Sequence, residues 1–296
     1  MQVVVHGGAG SVPEDPPRRA RALEAAAIHG SRLSTPVDAV VEAVRSMERD
    51  PQFNAGIGSA VQSDGTIRTD AGIMTSAGSV GAVCAMPRVA HAISVAEHVR
   101  TDTPHVLLAG ERAVDFARDR GVQTDVNLWS ERSRERWDHV GVGGLSLPEQ
   151  ISEVRDRFGA DHDTVGAVAT DGDAVVAGTS TGGRWLALAG RVGDVPQIGS
   201  GFLASPAGGV STTGAGEEIA RTMLARRTLD LVESGHPPDE AAEMAIETFH
   251  AETAASAGVI VLTPVGGIGT AFSSEAMQTG VAEDGDLVRA SQSQYH

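Results

Sequence analysis

The stretch HDTVGAVATDGDAVVAGTSTGG, His162 to Gly183, runs from an acidic, flexible-looking approach straight into Thr164, where an alternating apolar strand begins. "TVGAVA", the turn "TDGD" and "AVVAGTS" read as a hairpin, because β-branched runs flank an Asp-Gly turn. A strand start needs no special residue, so the threonine raises a chemical question. An alcohol becomes a nucleophile by losing its proton, and the nearest base for a threonine hydroxyl is its own α-amine, whose pKa of about 7.7–8.0 lies near working pH. That amine exists only if the Asp163–Thr164 bond is cut. The Thr164 hydroxyl would attack the Asp163 carbonyl, an N-to-O shift would give an ester, and water would release it. The same spacing equally suits a threonine that merely opens a strand.

Outward from the hairpin, "PVDAVVEAVRSM" sets Val37, Val40, Val41, Val44 and Met47 at helical spacing behind Ser34 or Thr35 as cap, and Asp50-Pro51 stops it. Phe53 to Met86 reads as sheet, and two helices follow with Pro104 between them, the second ended by Gly121. Val122 to Asp163, rich in charge and glycine, reads as an exposed connector. "EEIARTMLARRTLDLVESG" reads as one helix closed by Gly235 and "DEAAEMAIETFHAE" as another, while "GVIVLTP" and "GIGTAF" close the sheet. Central strands with flanking helices predict one layered α/β unit.

With 296 residues, 41% of them apolar, the chain can bury a sizeable core, and no apolar run is long enough to span a bilayer. Met1 leads straight into "QVVVHGG" with no basic leader, which predicts a cytoplasmic location. The single cysteine, Cys84, permits no internal disulfide and reads as core. The net charge is −16, and all 23 basic residues are arginine. Such a surface would repel nucleic acid and anionic membranes. It also predicts adaptation to concentrated salt, with genomic GC bias as the competing account of the missing lysine. The expected result is a melting temperature that rises from dilute to molar salt as screening relieves carboxylate repulsion. A flat or falling series would leave GC bias as the explanation.

Three glycine-bearing motifs compete for the chemistry. "HGGAG", His6 to Gly10, can turn backbone N–H groups into a cleft. "GTSTG", Gly178 to Gly182, matches a serine nucleophile elbow at Ser180, but an elbow passes from strand into helix, and "GGRWLALAGRVGD" reads as turn and strand. An esterase on Ser180 is therefore a rival reading. "GAGEEIA" is a partial dinucleotide fingerprint using Gly214 and Gly216, yet Glu217 and Glu218 would face the pyrophosphate, so a plain helix entry fits better. His6 and His162 lack a further ligand at metal spacing, and neither is expected to bind zinc.

Taken in order, "HGGAG", "FNAGIGSAVQSDGTIRTDAGIM", the opening stretch, "GRVGD" and "STTGAGE" resemble the plant-type (type III) asparaginases and isoaspartyl aminopeptidases, which are N-terminal-nucleophile hydrolases. The resemblance covers nearly the whole chain. It implies an α/β fold of the four-layer αββα sandwich type and autocleavage between Asp163 and Thr164 into residues 1–163 and 164–296. It further implies a dimer of the cleaved units, and hydrolysis of asparagine or of β-aspartyl peptides without a cofactor. Position by position, Thr164 would be the nucleophile and Thr181 would polarise it. Arg191 and Asp194 would hold the substrate's α-carboxylate and α-ammonium. Thr213 and Gly214 would form the oxyanion hole, Gly216 would line the substrate end, and Asn54 would support the cleavage site. Arg191 and Asp194 suit that task, since a guanidinium grips a carboxylate by two parallel bonds and a carboxylate accepts ammonium protons. The chain departs from the family at "IMTSAG", Ile73 to Gly78, and at Arg184-Trp185, which make the rim bulkier. These departures leave open the choice between asparagine and β-aspartyl dipeptide, and whether a loop binds the structural sodium of relatives. Glycosylasparaginases, which share "HDT" but carry "TSTNG", are the second amidase reading.

Overall fold

A computed structural model describes residues 1–140, 144–156 and 163–294. Residues 141–143 and 157–162 of the expected connector, His162 among them, lie outside the described residues. Among those described, eight strands form one sheet: β1 (Gln2–Gly10), β2 (Arg68–Thr75), β3 (Val80–Pro87), β4 (Leu107–Ala109), β5 (Val165–Thr170), β6 (Val175–Thr181), β11 (Ala276–Glu283) and β12 (Asp286–Gln294), in the order β12-β11-β1-β5-β6-β2-β3-β4. A second sheet has the order β10-β9-β8-β7, from β7 (Phe202–Ser205), β8 (Gly208–Gly214), β9 (Ala257–Leu262) and β10 (Ile268–Phe272). The helices are α1 (Pro16–Ser31), α2 (Pro36–Glu48), α3 (Ala92–Asp102), α4 (Gly110–Asp119), α5 (Glu131–Val140), α6 (Leu147–Asp156), α7 (Gly216–Thr222), α8 (Leu224–Glu233) and α9 (Pro238–Thr253).

The period-2 pattern of the strands sorts their side chains between separate cores. Val165, Ala167 and Ala169 of β5 join Leu23, Val40, Val44 and Ile93 from α1, α2 and α3, whereas Val168 joins Ile260 and Leu262 of the second sheet. On β9, Val259 and Val261 face Leu224, Leu229 and Phe249 of α8 and α9. Strands buried on both faces read as continuous apolar runs, as "GVIVL" does. The two sheets meet closely where a side chain is missing. A Cβ on Gly209 would lie 2.6 Å from Val168 and 2.8 Å from Val175.

The hairpin of β5 and β6 pairs antiparallel with Val165 opposite Ser180, as the sequence predicts. Thr35 caps α2, its hydroxyl accepting from Asp38 N at 3.1 Å. β1 lies between β11 and β5, so residues on both sides of the Asp163–Thr164 bond share one sheet.

Several expectations need correction. Residues 53–67 form turns with an isolated Val61–Ile67 bridge, not strands, because Gly56 (φ +54°) and Gly58 (φ +106°) fold the segment back on itself. The connector contains α5 and α6, whose first turns are capped by Ser130 with Ser133 and by Ser146 with Glu149. The helix expected over 217–235 breaks at Met223, in the left-handed region at φ +52°, which separates α7 from the α8 face packed on the second sheet. No strand forms over 183–194.

Candidate active site

Thr164 is buried at the head of β5, and the carbonyl before it is held from two directions. Asn54 Nδ2 donates to Asp163 O at 2.8 Å, and Thr181 Oγ1 donates to it at 3.2 Å. Two donors on an oxygen that gains negative charge when its carbon is attacked make oxyanion-hole geometry. The turn after α2 fixes Asn54, whose Oδ1 accepts from Ala60 N at 2.8 Å and whose Nδ2 also reaches Gly183 O at 2.6 Å. The β5–β6 pairing delivers Thr181, and its hydroxyl accepts from Gly183 N at 3.1 Å.

Arg191, Asp194 and Gly216 come together next to this segment. A Cβ on Gly216 would lie 2.6 Å from Asp194 Oδ1 and 2.8 Å from Arg191 Nη2, and one on Gly183 would lie 3.8 Å from Arg191 Nη1. Arg191 Nε donates to Glu217 Oε1 at 2.8 Å, so its two terminal nitrogens face the glycine-lined space. Glu217 is shared, with Arg184 Nη1 3.7 Å from its other oxygen. Asp194 Oδ2 is buried and has no hydrogen-bond partner among the described residues. Burial pushes the Asp194 carboxyl up to about 7 against the pull of Arg191, and the charges of Glu217 and Asp70 push the same way. Burial likewise raises Asp70 to about 7, opposed by its bond from Ala85 N and by Arg191. At Glu217 burial also works upward, but the hydrogen bond and charge of Arg191 outweigh it and hold the carboxyl below its usual range. A buried carboxylate with an orphan oxygen, beside a guanidinium with its Nη edge free of Glu217, suits a zwitterion.

Thr213 and Gly214 end β8 at the far side of "HGGAG". Thr213 Oγ1 accepts from Ala9 N at 3.3 Å, and Gly214 has φ +133°. In the uncut chain they do not hold the Asp163 carbonyl, which Asn54 and Thr181 already engage. The buried His6 ring lies 2.8 Å from Ser211 Oγ, and burial lowers its pKa to about 3, with the Thr164 backbone opposing. His6 is thus a neutral core imidazole. Among the described residues, no group of three or more His, Cys, Asp or Glu is placed to hold a metal ion. Cys84 is buried, as expected.

The serine-elbow reading fails on geometry. Ser180 is fully buried, its hydroxyl donates to Glu48 Oε1 at 2.7 Å, and β6 runs into a loop rather than a helix. Glu48 also accepts from Ile93 N at 3.1 Å, tying α2 and α3 to the back of β6. Sequence reading missed Glu48, Asp70 and Arg19. It took Glu217 only as a helix-start acid, although its place in "GAGE" was available as a signal. Arg19 Nη2 pairs with Asp163 Oδ2 at 3.0 Å and also donates to Gly7 O, from the first turn of α1 behind its Asp15 cap.

The family profile described as asparaginase matches residues 1–290. A plant-type L-asparaginase from Pyrococcus horikoshii is 37% identical over 300 residues, covering 96% of this chain and 97% of that protein. Isoaspartyl peptidase/L-asparaginases from Xenopus laevis and Bos taurus are each 38% identical, covering 96% of this chain and 93% and 94% of theirs. With the expected blocks assembled around one peptide bond and this similarity running the length of the chain, the protein belongs to the asparaginase family.

Proposed function

We propose that this protein is an autoprocessing threonine amidohydrolase that converts L-asparagine to L-aspartate and ammonia and cleaves β-aspartyl dipeptides. The Asp163 carbonyl, gripped by Asn54 and Thr181 beside the Arg191–Asp194 pair, carries the reading. In the first stage the Thr164 hydroxyl adds to the Asp163 carbonyl carbon, the C–N bond breaks as nitrogen takes the proton, and water hydrolyses the ester. Residues 1–163 and 164–296 are the products, held together by β1 between β11 and β5. In the second stage the freed amine takes the Thr164 proton as oxygen attacks the substrate amide. The amine then returns a proton to the departing ammonia or amino group, and water releases aspartate. Thr213 and Gly214 would hold the substrate oxyanion, with Thr181 polarising the nucleophile. The test is ammonia release from asparagine by the purified protein. An absence of turnover with asparagine and with β-aspartyl dipeptides would overturn the assignment.

Binding of the substrate ammonium requires Asp194 as carboxylate, and its carboxyl is pushed up to about 7. Below that pH the proton must be removed before binding, so kcat/KM for asparagine should fall by at least about tenfold per unit between pH 7 and 5. Protonation of the Thr164 amine acts in the same direction. A profile that is flat or rises on acidification would contradict both roles.

The facing sheets, with helices packed outside each, support the four-layer αββα sandwich of N-terminal-nucleophile hydrolases. By family likeness the cleaved units would dimerise, in the cytoplasm. The turn after α2 would hold a structural sodium, since a Cβ on Gly58 would lie 2.6 Å from Pro51 O and 2.8 Å from Phe53 O, and crowded carbonyls suit a hard cation.

A further inference from the structure

Arg19 and the glycine loop "HGGAG" meet at Asp163, the residue on the acyl side of the bond to be cut. Arg19 Nη2 lies 3.0 Å from Asp163 Oδ2, and the same nitrogen donates to Gly7 O. Arg19 is 7% exposed and its guanidinium lies 5.2 Å over the Phe53 ring, so the loop and the ring together hold the cation in place. Gly8 completes the seat. It has φ +122°, and a Cβ there would overlap Asp163 Oδ1 and lie 2.8 Å from its Cγ, so the carboxylate rests where only glycine leaves room.

This seat does what the carbonyl donors cannot do alone. Asn54 and Thr181 both bind the carbonyl oxygen of Asp163, and two donors on one atom leave the acyl group able to pivot about it. A third contact, at the far end of the side chain, stops the pivot and fixes the face that the carbonyl carbon turns to the Thr164 hydroxyl. Charge adds a second effect. As the hydroxyl attacks, negative charge grows on the carbonyl oxygen, and the carboxylate of the same residue would repel it. Arg19 cancels that carboxylate, so the growing charge meets the Asn54 and Thr181 donors without an opposing ion.

We propose that Arg19 is a positioning residue for self-cleavage, which seats the Asp163 carboxylate against Gly8 and cancels its charge while the Thr164 hydroxyl attacks. The inference rests on the self-cleavage proposed above. The experiment follows freshly translated full-length chain into residues 1–163 and 164–296 over time on denaturing gels. Arg19→Gln leaves the carboxylate unpaired beside the growing charge and should slow cutting by at least about tenfold. Asp163→Asn keeps an acceptor for the guanidinium and should cut within about threefold of wild type. In the double variant two neutral amides can pair, so it should cut clearly faster than Arg19→Gln alone. An Arg19 that merely braces Gly7 and Phe53 gives no such rescue, because a change at Asp163 restores neither contact. Should Arg19→Gln fail to fold, Asp163→Leu and Asp163→Asn decide, since they leave the same charge and differ in the acceptor offered to Arg19. The leucine variant should cut at least about tenfold more slowly than the asparagine variant. Wild-type cutting in Arg19→Gln, a double variant no faster than Arg19→Gln, or equal rates for the two Asp163 variants would each overturn the proposal. A wild-type chain that never cuts would overturn the self-cleavage reading itself, and this inference with it.

Discussion

Thr164→Ala should give a folded, uncut chain with no amidase turnover, a loss of at least about 10⁴-fold relative to wild type. Removing the hydroxyl deletes the group that attacks the Asp163 carbonyl and, later, the substrate. The fold should persist, because Val165, Ala167 and Ala169 keep their places in the core and the β5–β6 pairing does not use that hydroxyl. Thr164→Ser should cleave and turn over slowly, since its hydroxyl survives without the methyl that restricts the rotamer. Ser180→Ala should still cleave, because the Ser180 hydroxyl serves Glu48 and not the scissile bond. Denaturing gels and ammonia assays on the three variants check these outcomes, and full amidase activity in Thr164→Ala would return the search to another nucleophile.

The second large effect belongs to Arg191. Arg191→Ala should lower kcat/KM for asparagine by roughly 2–5 kcal/mol, about 30-fold to several thousand-fold, because it strips the α-carboxylate of its guanidinium and takes the neighbouring cation from the buried Asp194. Self-cleavage should proceed, since the Asp163 carbonyl is held by Asn54 and Thr181 and not by Arg191. Processing measured by gel beside steady-state turnover separates the two activities. Unchanged catalytic efficiency would remove Arg191 from the site.

The contrast between those two variants shows what a sequence can carry. The hairpin from Val165 to Thr181 was legible because its alternation and Asp-Gly turn are local, and α2 was legible from its Thr35-Pro36 start. Thr164, Thr181, Arg191, Asp194 and Gly216 were legible as ordered blocks. The partners of these residues were not. Arg19 meets Asp163 across 144 positions and Ser180 meets Glu48 across 132, and no local pattern encodes such distances. The position of β1 between β11 and β5 is equally non-local, and the polar Gln278 and Thr279 obscure β11 as a strand. Charge hid α5 and α6, because both lie largely exposed: α5 buries Ser133, while Leu147 and Ile151 of α6 are exposed. The left-handed Met223 had no glycine to announce it.

N-terminal sequencing of the wild-type protein, with intact mass of its fragments, tests the central claim most directly. The account predicts two chains that co-purify, residues 1–163 and 164–296, the second beginning Thr-Val-Gly-Ala-Val. An active amidase that remains one uncut chain of 296 residues would contradict it.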